Sequence, residues 1–114
     1  HITDAIIGGQ GEGPLRPEPV PSGFLTGALN PAAADWVNTL AMGWDPMQLP
    51  IVREAFGTFR WPITDFSGAA IQVASANGVG PASMIVPPAG EKFRASNGWR
   101  GHVEAQGELR GAQR

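Results

Sequence analysis

The chain has 114 residues, enough for one hydrophobic core but not for two independent ones. Eight Lys+Arg against ten Asp+Glu give a formal net charge of −2, with Lys92 the single lysine, which argues against a nucleic-acid surface. No cysteine is present, which excludes a disulfide scaffold, a zinc ribbon, thiolate catalysis and an iron–sulfur cluster held by this chain.

In chain order, Ile2 to Ile7 reads as a short buried strand, running out into the glycine-rich loop Gly8-Gly9-Gln10-Gly11-Glu12-Gly13-Pro14. Leu15 to Ser22 carries Pro17, Pro19 and Pro21 at alternate positions, which predicts an extended connector without ladder donors. Phe24 to Leu29 is the next predicted strand, and its small residues imply close packing against a neighbour. Asn30 then offers a cap and Pro31 a first helical position, so a helix is predicted over 31–42, stopped by Gly43. Its apolar face is Ala33, Trp36, Val37, Leu40 and Ala41, with Asp35, Asn38 and Thr39 off it.

Asp45-Pro46 repeats the cap logic, but Pro50 follows one turn later, so 46–49 is read as a separate short turn. A second helix is predicted from Pro50 to Phe56, closed by Gly57. Ala70 to Ser75 alternates like a strand and ends at the turn pair Asn77-Gly78, with Ser83 to Val86 as a further short strand. Phe93 to Glu104, if extended, places Trp99, Gly101 and Val103 on one side and Arg100, His102 and Glu104 on the other. Residues 2–104 form the expected domain, and 105–114 a flexible tail.

No apolar run approaches the roughly 18 residues of a membrane span, so no membrane partner is expected and a cytoplasmic location is. The chain opens on a strand-like run with no leader and no initiating methionine, from which a missing N-terminal portion of the same protein is expected as its partner.

Three ordered stretches carry a family likeness: Asp4 through Pro14, Leu29 to Asp35 with Met42 to Asp45, and Phe93-Arg94 with Gly98 to Glu104. Together they resemble the C-terminal part of a bacterial and archaeal family called domain of unknown function 362. The resemblance spans residues 2–104, although Gln10 stands where family-like sequences often carry Glu. It implies the C-terminal piece of a longer two-part protein, without the ferredoxin-like segment some members carry, and it implies no settled reaction.

Several residues are candidates for chemistry. Glycines around Gln10 and Glu12 permit a nest of backbone N–H groups at Gly11 and Gly13 for a phosphate or carboxylate, although a proline-rich connector follows where phosphate loops lead into a helix. Glu12 is a candidate ligand or general base, set against a solvated loop carboxylate. Asp35 stabilises the positive end of a helix dipole or, with Asp4 and Glu12, offers oxygen ligands to Mg²⁺ or Ca²⁺. Arg100, His102 and Glu104 make a polar stripe suited to proton transfer or anion clamping, set against a solvated strand face. A Ser-His-Asp triad or a two-histidine metal site finds no support, because His1 stands at the chain start and only His102 remains. Most of the aromatics are expected in the core, while Phe59-Arg60-Trp61 is expected to face the rest of the protein or a second copy as a homodimer.

The architecture expected is α/β: a small mixed sheet from strands near 2–7, 24–29 and 70–75, reached by a right-handed parallel crossover, with both helices on one face and residues 93–104 wrapping the edge. Three functions remain open. The first is a C-terminal domain contributing part of a ligand cleft, in which the loop Gly11, Glu12 and Gly13 and the cap Asn30 supply polar groups. The second is an acid–base or metal-dependent enzyme domain using Glu12, Asp35 and His102. The third is an interaction module with a tryptophan-rich surface.

Overall fold

The computed structural model describes residues 1–106. Helix and strand are mixed as expected, in the order β1 (Ile2–Ala5), β2 (Gly8–Glu12), β3 (Arg16–Val20), β4 (Phe24–Gly27), α1 (Pro31–Ala41), α2 (Pro50–Glu54), β5 (Gln72–Ser75) and β6 (Gly78–Pro81). Short 3-10 turns cover Pro46–Gln48, Gly68–Ala70 and Ala82–Met84. The strands form three antiparallel ribbons, β1 with β4, β2 with β3 and β5 with β6. The expected single sheet with a parallel crossover is therefore corrected: β5 folds back on β6 through the two residues Ala76 and Asn77 instead of pairing with β4. A neighbouring strand across a two-residue turn has almost no loop to close, so it outcompetes a distant one.

Two further corrections concern β2 and β3, expected as a loop and a connector. The register sets Gly9 opposite Pro19 and Gly11 opposite Pro17. In an antiparallel pair, alternate residues turn their N–H and C=O away from the partner, and prolines at those positions cost the ladder nothing. The alternate spacing of Pro17 and Pro19 thus makes β3 an edge strand whose outer side has carbonyls but no donors. Gly11 turns its own N–H to the opposite edge, where it donates to the Arg94 carbonyl at 2.8 Å. Residues 93–97 lie along that edge, so the C-terminal segment does wrap a strand edge, that of β2.

Helix α1 begins as its sequence dictates. The Asn30 side chain accepts from the N–H groups of Ala32 at 2.9 Å and Ala33 at 3.1 Å, and Pro31 follows. Gly43 ends it at φ +78, a left-handed conformation other residues rarely adopt. Of the face expected, Ala41 is buried and Ala33, Trp36, Val37 and Leu40 are half-buried, while Ala32, Ala34 and Thr39 are buried beside it. Thr39 is accommodated because its hydroxyl donates to the Asp35 carbonyl at 2.6 Å. Asn38 bridges the register pair Thr3 and Thr26, accepting from Thr26 Oγ1 at 2.7 Å and donating to Thr3 Oγ1 at 2.9 Å. One polar side chain thereby fixes α1 to both strands of a ribbon.

Helix α2 is shorter than expected and packs on α1 and the Pro46–Gln48 turn. Trp36, Phe56 and Phe66 form an edge-to-face chain with centroids 5.1 and 6.0 Å apart. Residues 42–45 are knitted to the C-terminal segment, with Phe93 N–H donating to the Met42 carbonyl at 2.8 Å, Asp45 N–H to Val103 at 2.8 Å and Ala105 N–H to Gly43 at 3.0 Å. Val103 is fully buried at this junction. The strand expected over Ser83–Val86 is instead a 3-10 turn, and Gly78–Pro81 takes its place beside β5. The tail expected from residue 105 begins with bonded Ala105, and from residue 107 on it lies outside the described residues.

Candidate functional site

Where the C-terminal segment crosses the glycine ribbon, a cleft of about 270 Å³ opens between β2, Trp44 and Trp99. Gly9, Gly11 and Gly13 offer bare backbone as one wall. A side chain at Gly11 would collide with the Arg94 guanidinium, since a Cβ would lie 2.8 Å from Nη2. Trp44 is fixed as another wall because its Nε1 donates to the Phe93 carbonyl at 2.8 Å. Trp99 is half exposed across from it, and Arg94 and Ser96 supply polar atoms.

Arg94 organises this corner. Its backbone N–H donates to Gln10 Oε1 at 2.8 Å, and its guanidinium meets Glu18 at 2.5 Å. The hydrogen bond from Arg94, and then its charge, hold the Glu18 carboxyl below the usual carboxylate range, while the hydrogen bond to Glu18, and then the Glu18 charge, push Arg94 up. Both groups are exposed, so the pair adds orientation more than stability.

Of the residues singled out in the sequence, the cleft gathers Gly11 and Gly13 only. Their N–H groups are committed, Gly11 to Arg94 and Gly13 to the Gly11 carbonyl at 3.0 Å, so the expected anion nest is not formed. Glu12 accepts from the Asn97 N–H at 2.6 Å and pins the crossing segment. Asn30 has its oxygen on the α1 cap, and its amide donates to the Ile63 carbonyl at 2.9 Å. Asp4 accepts from the Ile6 N–H at 3.1 Å, in the bend between β1 and β2. Asp35 is exposed on α1. Among the described residues no three His, Asp or Glu side chains come together as a metal-holding group, so Asp4, Glu12 and Asp35 are not one.

Arg100 and His102 are exposed in a run of turns, not on a strand, so the expected stripe is corrected. Gly101 at φ +84 breaks the extended path, and Glu104 folds back to accept the Gly101 N–H at 2.8 Å. Sequence reasoning missed Arg94, Ser96 and Trp44 as neighbours of the glycine ribbon. The run Phe93-Arg94-Ala95-Ser96 alternates buried Phe93 and Ala95 with exposed Arg94, but nothing in its spacing, or in that of Trp44, says that it meets the glycine ribbon.

Several large apolar side chains are exposed elsewhere on the surface. Ile51 is 80% exposed, Trp61 79%, and Phe59, Ile63 and Met47 about half. Phe59 and Met47 line a shallow depression of about 910 Å³ beside the Trp36–Phe56–Phe66 chain. Among the described residues no helix is long and apolar enough to cross a membrane.

Comparison with protein-family models, curated proteins and solved structures finds no match to this chain.

Proposed function

We propose that the chain is a docking module of a larger bacterial protein of the domain-of-unknown-function 362 kind, its apolar surface covered by the rest of that protein. A cytoplasmic location is part of this reading. The observation that carries it is the distribution of large apolar side chains: among the described residues Val20, Val52, Ile71, Phe93 and Val103 are buried, while fifteen large hydrophobics, Ile2, Ile51 and Trp61 among them, are exposed. Met47 and Phe59 among them share one depression with Trp36, Phe56 and Phe66, and contiguous apolar surface of that kind marks contact sites. The acidic candidates support the same reading from the other side, since Glu12 and Asp4 are occupied by main-chain N–H groups. The test is uptake of the dye ANS by residues 1–114 beside the intact gene product, with native mass spectrometry of both. Strong uptake by the piece and weak uptake by the intact product is expected; equal, weak uptake by both would overturn the reading.

A second reading, part of a ligand cleft, is favoured by two tryptophans, Trp44 and Trp99, lining the same 270 Å³ cleft as Gly9, Gly11 and Gly13. Aromatic walls in a small, mostly apolar cleft suit a small, neutral, ring-shaped ligand. Arg94 is already neutralised by Glu18, which disfavours an anion there.

A further inference from the structure

A third space, a groove of about 880 Å³, runs between β4 and β5 over the side of α1. Residues of both strands line it from end to end, whereas none of β1 or β6 does, so the edges facing it are the two left unpaired by their ribbons. The register says which main-chain groups those edges present. His1 and Ala28 exchange bonds in both directions, which makes Thr3–Thr26 and Ala5–Phe24 the bonded pairs and turns Leu25 and Gly27 outward. On the other side, Ala82 donates to Ile71 at 2.9 Å and Pro81 faces Gln72, which turns Gln72 and Ala74 outward. Two rows of donors and acceptors therefore flank one groove, each at the two-residue repeat of a strand. Its floor is Ala33, Ala34, Val37 and Ala41, small residues that leave depth for incoming side chains. Among the described residues the lining holds no Asp, Glu, Lys, Arg or His.

We propose that this groove seats an extended strand of the rest of the larger protein, joined by main-chain hydrogen bonds to β4 and β5 at once, with uncharged apolar side chains at alternate positions turned onto α1. The inference rests on the docking reading above and names its partner. Addition of a strand at an exposed edge draws affinity from the backbone and specificity from pockets for alternate side chains. A second copy of this chain is the poorer occupant. All six of its described strands are already paired, residues 93–97 lie on β2, and the other extended stretches are interrupted by Pro62 or by Pro87 and Pro88. With the seat filled, the ribbons β1–β4 and β5–β6 become the two sides of one five-stranded sheet.

The test uses residues 1–114 and, as probe, an alternating valine–threonine octapeptide with a lysine at each end, together with a twin N-methylated at every second residue. Hydrogen exchange at Leu25, Gly27, Gln72 and Ala74 is expected to slow at least tenfold with the first peptide, and the twin to bind at least tenfold more weakly. Ala33→Glu, which places a charge on the groove floor, is expected to abolish binding with the helical circular dichroism unchanged. Equal binding of the two peptides, or protection at one edge alone, overturns the proposal. So does concentration-dependent protection of the four amides in the chain by itself with a dimer mass, which makes the occupant a second copy. ANS uptake with all four amides unprotected by the peptide overturns the strand seat while leaving the docking module standing.

Discussion

The Glu12 carboxylate accepts the Asn97 backbone N–H at 2.6 Å, joining residues 85 positions apart in the sequence. Together with Gln10 on the Arg94 N–H, it lays residues 93–97 against the glycine ribbon, so the most chemically suggestive carboxylate in the chain serves as a fastener. Glu12→Ala is expected to cost about 0.5–1.5 kcal/mol, the usual net worth of one such bond, and to speed exchange at the Asn97 amide. Glu12→Gln keeps an acceptor oxygen and is expected to lose less. Urea midpoints and amide exchange decide it, and an unchanged Asn97 amide in Glu12→Ala would refute the fastening role.

Close approach, not backbone conformation, governs Gly68. A Cβ there would lie 2.4 Å from the Trp36 ring. Gly68→Ala is expected to destabilise by about 1–3 kcal/mol, the range for overpacking, and to shift Trp36 fluorescence. Gly80→Ala is the control, because a Cβ at Gly80 meets nothing within 4 Å. Its thermal midpoint is expected to stay at or slightly above that of the parent.

Asn38 holds helix to ribbon with one bond accepted and one given. Asn38→Leu leaves the Thr3 and Thr26 hydroxyls without that partner in a part-buried setting. A loss of about 1–3 kcal/mol is expected, measured by urea denaturation, and a neutral result would mean that water replaces the amide.

The pair of Glu18 and Arg94 sets a small pH dependence. Because the folded carboxyl is held below its usual value, its contribution is present above the unfolded carboxylate range and is lost as the pH falls through the folded value. Glu18→Gln is therefore expected to unfold slightly more easily than the parent at pH 7, with the gap closing below about pH 4 and shrinking in 1 M salt. Urea midpoints across pH 3 to 7 test the sign: a gap that widens in acid would contradict it.

Trp61 is exposed, touched by the Arg60 guanidinium 5.5 Å from its ring centroid. Trp61→Ser is expected to change stability by no more than about 0.5 kcal/mol while lowering ANS uptake. Trp36→Ala, in the aromatic chain, is expected to cost about 3–5 kcal/mol. Similar losses for both would place Trp61 in the core.

What the sequence disclosed was local. Asn30-Pro31 marked the start of α1 and Gly43 its end, because cap and stop each depend on one residue's own backbone. The strand β5 and its turn near Asn77-Gly78 were legible for the same reason, though not the identity of its partner. Gly8–Glu12 and Arg16–Val20 were opaque as strands because glycine and proline both argue against one, and only their alternation in register reconciles them with a ladder. The cleft was half legible. Its glycine wall stood in the sequence, but Trp44 and Arg94 reach it through tertiary crossings that spacing does not encode. Pattern reading weighed Asp35 and His102 for chemistry because they are titratable, set against a helix-dipole role and a solvated face, and the fold leaves both on the surface.

The proline-edged side of β3 gives the molecule a polarity. A row of carbonyls with no donors among them at Pro17 and Pro19 cannot template further chain, so stacking of copies into filaments is blocked on that flank. The strand edges open to another chain lie elsewhere, and a protein able to accept a guest strand between β4 and β5 is thereby kept from polymerising along β3.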